Sequence, residues 1–323
     1  ALASVASSRE ATLIEAPNVE AFSLVPHIDI AAREGLQDLY PLSPMQQGML
    51  FHCLDSPELN PYVNQLSVAV DGLQVPRFRA AWQTLVERHE VLRAAFRWRD
   101  GLADPLQAVF ADVELPIEEL DWRDRSDTEQ ALGELAAAEQ AKGFDLSCPP
   151  LMRFILVRLG DDRYQMIWIY HHLLLDGWSA SRLLGDMLRL YHNDSLPTLT
   201  GRYADYIAWL QRQDGAQAEG FWRERLALLE EPTILAKASG AAGSGHGVMY
   251  SHLDAEATRK LHSFAKRQRV TLNTLVQGAW LLLLQRHSGQ RSVAFGATVA
   301  GRPTGLAGAQ DMLGLFINTL PVI

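Results

Sequence analysis

Cysteine is almost missing from this chain: Cys53 and Cys148 are the only two among 323 residues. Two such residues make neither a disulfide framework nor a Cys-rich metal site. That usage suits a reducing compartment, so a cytoplasmic location is expected. Basic charge is also short, with 29 Lys and Arg against 38 Asp and Glu, for a net charge of −9. Phosphate backbones demand a basic surface, so nucleic acid is excluded as a partner. No apolar run is long enough to cross a bilayer, and a membrane is not expected as a partner. The longest candidate, LVQGAWLLLLQRH, stops at Gln285 and Arg286. The first residues lack a basic start, an apolar stretch and an initiator Met, so they do not read as a signal peptide. The chain reads as a piece excised from something longer, and a monomer is expected.

Familiar catalytic signatures are missing too. There is no phosphate-binding P-loop, no G-x-S-x-G elbow and no H-E-x-x-H pair. GSGHG, in the Gly/Ala/Ser-rich stretch at 238–247, lacks the spacing and context of a dinucleotide loop and reads as a flexible connection. No metal site is expected.

What is present is an ordinary globular composition, 48% apolar and 21% charged, long enough for two domains or subdomains. Residues 1–36 read as a linker or N-terminal arm. Ser43, Pro44 and Gln46 make a helix start with a capping box. NQLSVAV alternates as a strand, and PRFRAAWQTLVERHEVL has helical spacing. RAAFRWRD and LQAVFADV read as strands around a turn at Asp100–Gly101, and residues 127–142 as a helix. LMRFILVRL and YQMIWIY read as an antiparallel pair, followed by a helix from Ser179. The pattern breaks near NDSLPTLTG, which puts a boundary at 194/195. Beyond it, helices are expected at 203–213, 218–229, 255–268 and, long and buried, at 271–287. Strands are expected near 248–253 and at SVAFGATVA. Strands and helices mix without regular alternation, which is an α+β class.

The stretch WIYHHLLLDGWSA, residues 168–180, carries the most chemistry. Asp-Gly alone commonly marks a turn, and a strand-end histidine commonly belongs to the core. Adjacent histidines on a strand point to opposite faces, so they do not grip one metal. One of His171 and His172 can enter a channel while the other anchors the strand. Gly177 admits close backbone approach, and Asp176 can fix the loop by pairing with an arginine. Imidazole titrates near neutrality and suits proton transfer. On the residues alone, the catalytic and structural readings stand level.

HHLLLDGWS resembles the HHxxxDG signature of the condensation domains of nonribosomal peptide synthetases, relatives of chloramphenicol acetyltransferase. YPLSPMQQGMLFH (40–52), RHEVLRAAF (88–96), FDLSCPPLMR (144–153), YADYIAW (203–209), FGATVAGRP (295–303) and GLFINTLPV (314–322) resemble further segments of that family, in the expected order. The resemblance runs from about residue 38 to the end. It implies two acetyltransferase-like subdomains in a V shape, at 37–194 and 195–323. Family members continue beyond the last motif, so the second subdomain is expected to be incomplete.

The resemblance also implies roles. A donor acyl or peptidyl thioester and an acceptor aminoacyl thioester would meet in a tunnel. No cofactor is bound directly: each substrate rides on the phosphopantetheine arm of a carrier domain. The expected partners are the upstream and downstream peptidyl carrier domains and an adjacent adenylation domain. His172 is the implied catalytic residue, with His171 and Asp176 in support and the Gly177 N–H placed for a developing oxyanion. Asp176 is expected to pair with Arg302 or Arg93, and Arg88 to be a further structural ion-pair partner. Trp178, Ser179, Tyr40, Gln47 and Asn318 are candidates to contact substrate or to support the tunnel. Cys53 and Cys148 are expected to be buried. The fold also admits epimerisation or β-elimination (dehydration) on a tethered amino acid, or mere carrier docking. The form SPMQQGMLFH resembles domains that take D-configured donors.

Overall fold

The computed structural model describes residues 18–28, 35–57, 60, 62–99, 102–234 and 249–323. They fall into two compact units. The first holds the described residues up to Gln213 together with 300–318, and the second holds those of 214–299 and 319–323.

The first unit is built on two sheets. Strands β2 (Val63–Asp71), β5 (Ile117–Asp121), β6 (Met152–Arg158) and β7 (Arg163–His171) form a mixed sheet in the order β2-β7-β6-β5. The expected antiparallel pairing of β6 with β7 is present, with Phe154 opposite Trp168. β5 lies parallel to β6 at the edge. It was not anticipated, because IEELD carries three carboxylates where a strand usually carries branched or aromatic residues. A second sheet joins β1 (Leu36–Pro41), β4 (Leu106–Phe110) and β3 (Ala94–Arg97), and β1 too escaped the sequence reading. The turn expected between β3 and β4, at Asp100–Gly101, lies outside the described residues.

Helices α1 (Pro44–Asp55), α2 (Val75–Arg88), α3 (Thr128–Lys142) and α4 (Gly177–Tyr191) complete this scaffold. α1 begins with the anticipated capping box, Ser43 accepting from the Gln46 N–H and Gln46 accepting from the Ser43 N–H. α2 ends sooner than expected and passes into a short 3-10 turn, Glu90–Arg93. Trp82, Phe154 and Trp168 centre the main core, with Trp82 and Phe154 ring centroids 4.5 Å apart.

The sequence break suggested a boundary at 194/195, whereas the units divide between Gln213 and Asp214. The reason lies in α5 (Tyr203–Gln211). Its Tyr203, Tyr206 and Ile207 pack with Tyr40, Val109, Met312 and Phe316 in a second core, which keeps α5 and residues 300–318 with the first unit. The described part of the N-terminal arm is docked as well. Val25 is buried with Leu39, Leu106 and Ala108, and the Phe22 N–H donates to Asp38 at 2.7 Å.

The second unit contains α6 (Gly215–Leu226), α7 (Ala255–Arg267), α8 (Leu272–Ser288) and the paired strands β8 (Phe295–Val299) and, from Thr319 on, β9 (Asn318–Val322). Residues 249–253 form no strand, and the glycine-rich stretch at 238–247 lies outside the described residues. The expectation of a buried α8 is overturned: Leu284 is its buried residue, while Val276 and Leu282 are 59% and 61% exposed. Its apolar residues surround the axis, so the neighbours in this unit cover one side only.

Candidate functional site

β7 ends at His171, and His172 is the first residue of the turn that leads from it to α4. Backbone bonds fix the strand end from both sides: the His171 N–H donates to the Leu151 carbonyl at 2.9 Å, and the His172 N–H to the Tyr62 carbonyl at 2.8 Å. His171 is buried and His172 half-buried.

His171 Nδ1 accepts from the Leu173 N–H at 3.2 Å, which assigns the ring proton to Nε2. Nε2 lies 3.7 Å from Cys53 Sγ, so the thiol sulfur is its acceptor. Burial, and secondarily the neighbouring His172, pushes the His171 pKa down to about 4. Burial also lifts the Cys53 thiol to about 11, so both groups are neutral at pH 7. Cys53 is buried as expected, but Cys148 is exposed.

His172 has the opposite arrangement. Its Nδ1 lies 2.7 Å from the Leu175 carbonyl. A carbonyl can only accept, so Nδ1 carries the proton in the neutral ring and Nε2 keeps its lone pair. The contact of Nδ1 with Leu175 thus favours one tautomer of the half-buried ring.

Asp176 caps α4, accepting from the Ser179 N–H at 2.7 Å. Its other oxygen accepts from the Phe316 N–H at 3.0 Å. Arg302 completes the set at 3.6 Å, with side chains 4% and 1% exposed. Between the two expected partners, the structure selects Arg302. Its guanidinium also donates to the Ala309, Met312 and Ser179 oxygens at 2.6, 2.9 and 2.7 Å, and lies 4.0 Å from the Phe316 ring centre. Burial draws the Arg302 pKa below its ordinary value, while Asp176 acts to restore it.

Arg93 and Arg88 are structural, but not through ion pairs among the described residues. Arg93 donates to the carbonyls of Val86, Phe110 and Ala111 and to Gln37, and Arg88 donates to the Pro197 carbonyl. Both sit where the chain turns away from regular structure and leaves carbonyls without partners.

The candidate substrate contacts separate sharply. Ser179 is fully buried, and its hydroxyl donates to the Gly314 carbonyl while accepting from the Gly314 N–H and Arg302. These bonds tie the start of α4 to Gly314 and Arg302, the supporting one of the two roles expected of Ser179. Tyr40 is also fully buried, and its hydroxyl accepts from Gln107 at 2.9 Å. It is a core support. Trp178 is 60% exposed on the first turn of α4. Gly177 opens that helix and is exposed, with nothing within 4 Å of where a Cβ would stand. Close packing within the chain therefore does not require glycine there. Its N–H belongs to the first turn, whose donors have no acceptor within the helix. Gln47 and Asn318 are exposed.

Two residues that matter to this geometry were not singled out for it. Gln46, read as a capping residue, is buried and donates to the Leu173 carbonyl at 3.1 Å and to Gln107 at 2.7 Å. Arg202 pairs with Asp38 and with Glu90, the latter at 2.9 Å, and donates to the Val19 carbonyl at 3.1 Å. No local pattern signals either partnership. Among the described residues, no group of three His, Cys, Asp or Glu is placed to hold a metal, and no helix is long and apolar enough to cross a membrane.

The fold that carries this loop is shared with known proteins. A family model described as "Condensation domain" matches residues 36–323, and the chain belongs to that family. It is 42% identical over 305 residues to one component of the linear gramicidin synthase of Brevibacillus parabrevis, covering 91% of this chain and 4% of that protein. It is 36% identical over 304 residues to tyrocidine synthase 2 of the same organism, covering 91% of this chain and 8% of that protein. The chain thus spans under a tenth of these relatives. Among solved structures, it is similar to the condensation domain of the monacolin K polyketide synthase, with a TM-score of 0.68, 18% identity and coverage of 89% of this chain and 68% of that one. It is also similar to a four-domain nonribosomal peptide synthetase bound to AMP and glycine, with a TM-score of 0.72, 21% identity and coverage of 89% and 22%.

Proposed function

We propose that this condensation domain forms an amide bond between a donor acyl or peptidyl thioester and the α-amine of an acceptor aminoacyl thioester. Both substrates are held on phosphopantetheine arms of upstream and downstream carrier domains, in a synthetase that also carries an adenylation domain. The relatives' names, gramicidin and tyrocidine synthases, support a peptide antibiotic or similar secondary metabolite as the product class.

The observation that carries this reading is the His172 ring, whose Nδ1 lies 2.7 Å from the Leu175 carbonyl, so that Nε2 is the acceptor nitrogen of the neutral ring. The acceptor nitrogen attacks the thioester carbonyl, the new C–N bond forms and the C–S bond breaks. The proton lost by the amine passes to His172 Nε2 and from there to the departing thiolate. The Gly177 N–H, at the positive end of α4, suits the developing oxyanion. An α-amine has an ordinary pKa of about 7.7–8.0, so a useful fraction is already neutral near pH 7. Holding the two tethered groups together therefore supplies much of the acceleration, and His172 supplies the remainder. His171, Asp176 and Arg302 hold the loop without touching substrate.

The test loads aminoacyl groups on both neighbouring carriers and reads each arm by intact-protein mass spectrometry. A dipeptide on the downstream arm supports the reading. Loss of water from one arm would replace it with elimination, and two arms of unchanged mass with epimerisation or carrier docking, which chiral analysis of the released amino acid tells apart.

A further inference from the structure

We propose that α1 positions the His172 loop from two points, through Gln46 and Cys53, and that Gln46 is a positioning residue for the chemistry at His172. The inference rests on the amide-forming role given to His172 above. Gln46 and Cys53 are seven residues apart, two turns of one helix face, and both are buried.

At the first point, Gln46 Nε2 donates to the Leu173 carbonyl at 3.1 Å and to Gln107 at 2.7 Å, while its Oε1 accepts from the Ser43 N–H at 3.0 Å. Gln107 donates in turn to the Tyr40 hydroxyl at 2.9 Å. Gln46, Gln107 and Tyr40 have no measurable exposure, so the chain of amides has no water to fall back on. At the second point, Cys53 Sγ faces His171 Nε2 at 3.7 Å, and His171 Nδ1 accepts from the Leu173 N–H at 3.2 Å. The two points converge on one residue: the N–H of Leu173 is held by His171 and its carbonyl by Gln46.

Leu173 directly follows His172. The His172 N–H is itself held by the Tyr62 carbonyl, and the ring by Leu175. The backbone is therefore pinned on both sides of the His172 Cα, and the aim of Nε2 follows from that pinning. An ångström of misplacement at a reacting group costs on the order of 100-fold in rate, so a side chain remote from substrate can control the rate this way.

The test uses the full chain labelled with ¹⁵N-histidine and compares imidazole nitrogen resonances, a readout that needs no substrate. Wild-type protein is expected to show His172 as the Nδ1–H tautomer and His171 as the Nε2–H tautomer. Gln46→Glu keeps an acceptor for the Ser43 N–H but, measured at a pH where the carboxyl is ionised, offers no donor to Leu173. It is expected to shift the His172 resonances toward a tautomer average and to lower kcat about tenfold or more, with KM for loaded carriers unchanged. Gln46→Met, of similar shape and without a donor, serves if the glutamate variant does not fold. Unmoved His172 resonances and unchanged kcat in a folded Gln46 variant would overturn the proposal. If wild-type protein makes no amide product, the proposed function fails, and the resonance comparison still decides whether Gln46 positions the loop.

Discussion

The carboxylate of Asp176 accepts a hydrogen bond at 3.0 Å from the backbone N–H of Phe316, 140 residues further along the chain. One side chain thereby caps α4, closes the loop that begins at His172 and ties in the late segment. Arg302 stands on the same carboxylate and is almost fully enclosed.

This arrangement makes Asp176 a stability residue. Removing one partner of a buried ion pair leaves the other uncompensated and costs about 3–5 kcal/mol. Asp176→Ala is expected to lose stability in that range, measured by urea denaturation, with the lost N-cap adding to the effect. Arg302→Met in the same background is expected to recover part of it, because it removes the stranded charge. An Asp176→Ala protein as stable as wild type would contradict the arrangement.

His171 predicts a pH dependence of stability. Its folded pKa, about 4, lies below the ordinary histidine value because the ring is buried. His89, also buried and beside Arg88, is pushed down to about 3. The unfolded chain binds protons at these sites before the folded one does, so stability rises with pH across this window. Stability is therefore complete above about pH 6.5 and falls as pH drops toward 4, at about 1.4 kcal/mol per tenfold difference in proton affinity. Denaturation midpoints from pH 7 to 4.5 should show this slope, and His171→Gln should reduce it to the share of His89. An unchanged slope in that variant would rule His171 out as a source.

Arg202 holds the arm. It joins Asp38, Glu90 and the Val19 carbonyl, while Asp205 accepts from the Val19 N–H at 2.9 Å. Arg202→Met is expected to cost about 1–3 kcal/mol and to expose the segment near residues 18–28 to limited proteolysis. Cleavage there at the wild-type rate would show that the apolar seat of Val25 suffices.

Legibility in the sequence followed the kind of signal each residue leaves. β6 and β7 were readable because their apolar runs tolerate one reading, and the α1 capping box because it is local. β5 was hidden by Glu118, Glu119 and Asp121, which a parallel edge strand accommodates with its side chains half in water. α8 was readable as a helix but not as an exposed one, since an apolar sequence does not state which sides its neighbours cover. At the site, His172 and Asp176 stood out by motif. The choice of Arg302 over Arg93, the enclosure of Ser179 and the reach of Gln46 to Leu173 were not visible, because each depends on a partner more than a hundred residues away or on which of several carbonyls is left over.

The most direct measurement loads donor and acceptor on neighbouring carriers and follows the downstream arm by intact-protein mass spectrometry, with wild-type and folded His172→Ala protein side by side. Wild-type protein is expected to build a dipeptide on that arm, and His172→Ala to do so about 10²–10⁴-fold more slowly, the range of a lost general base. Dipeptide formed by His172→Ala at the wild-type rate would contradict the role given to His172.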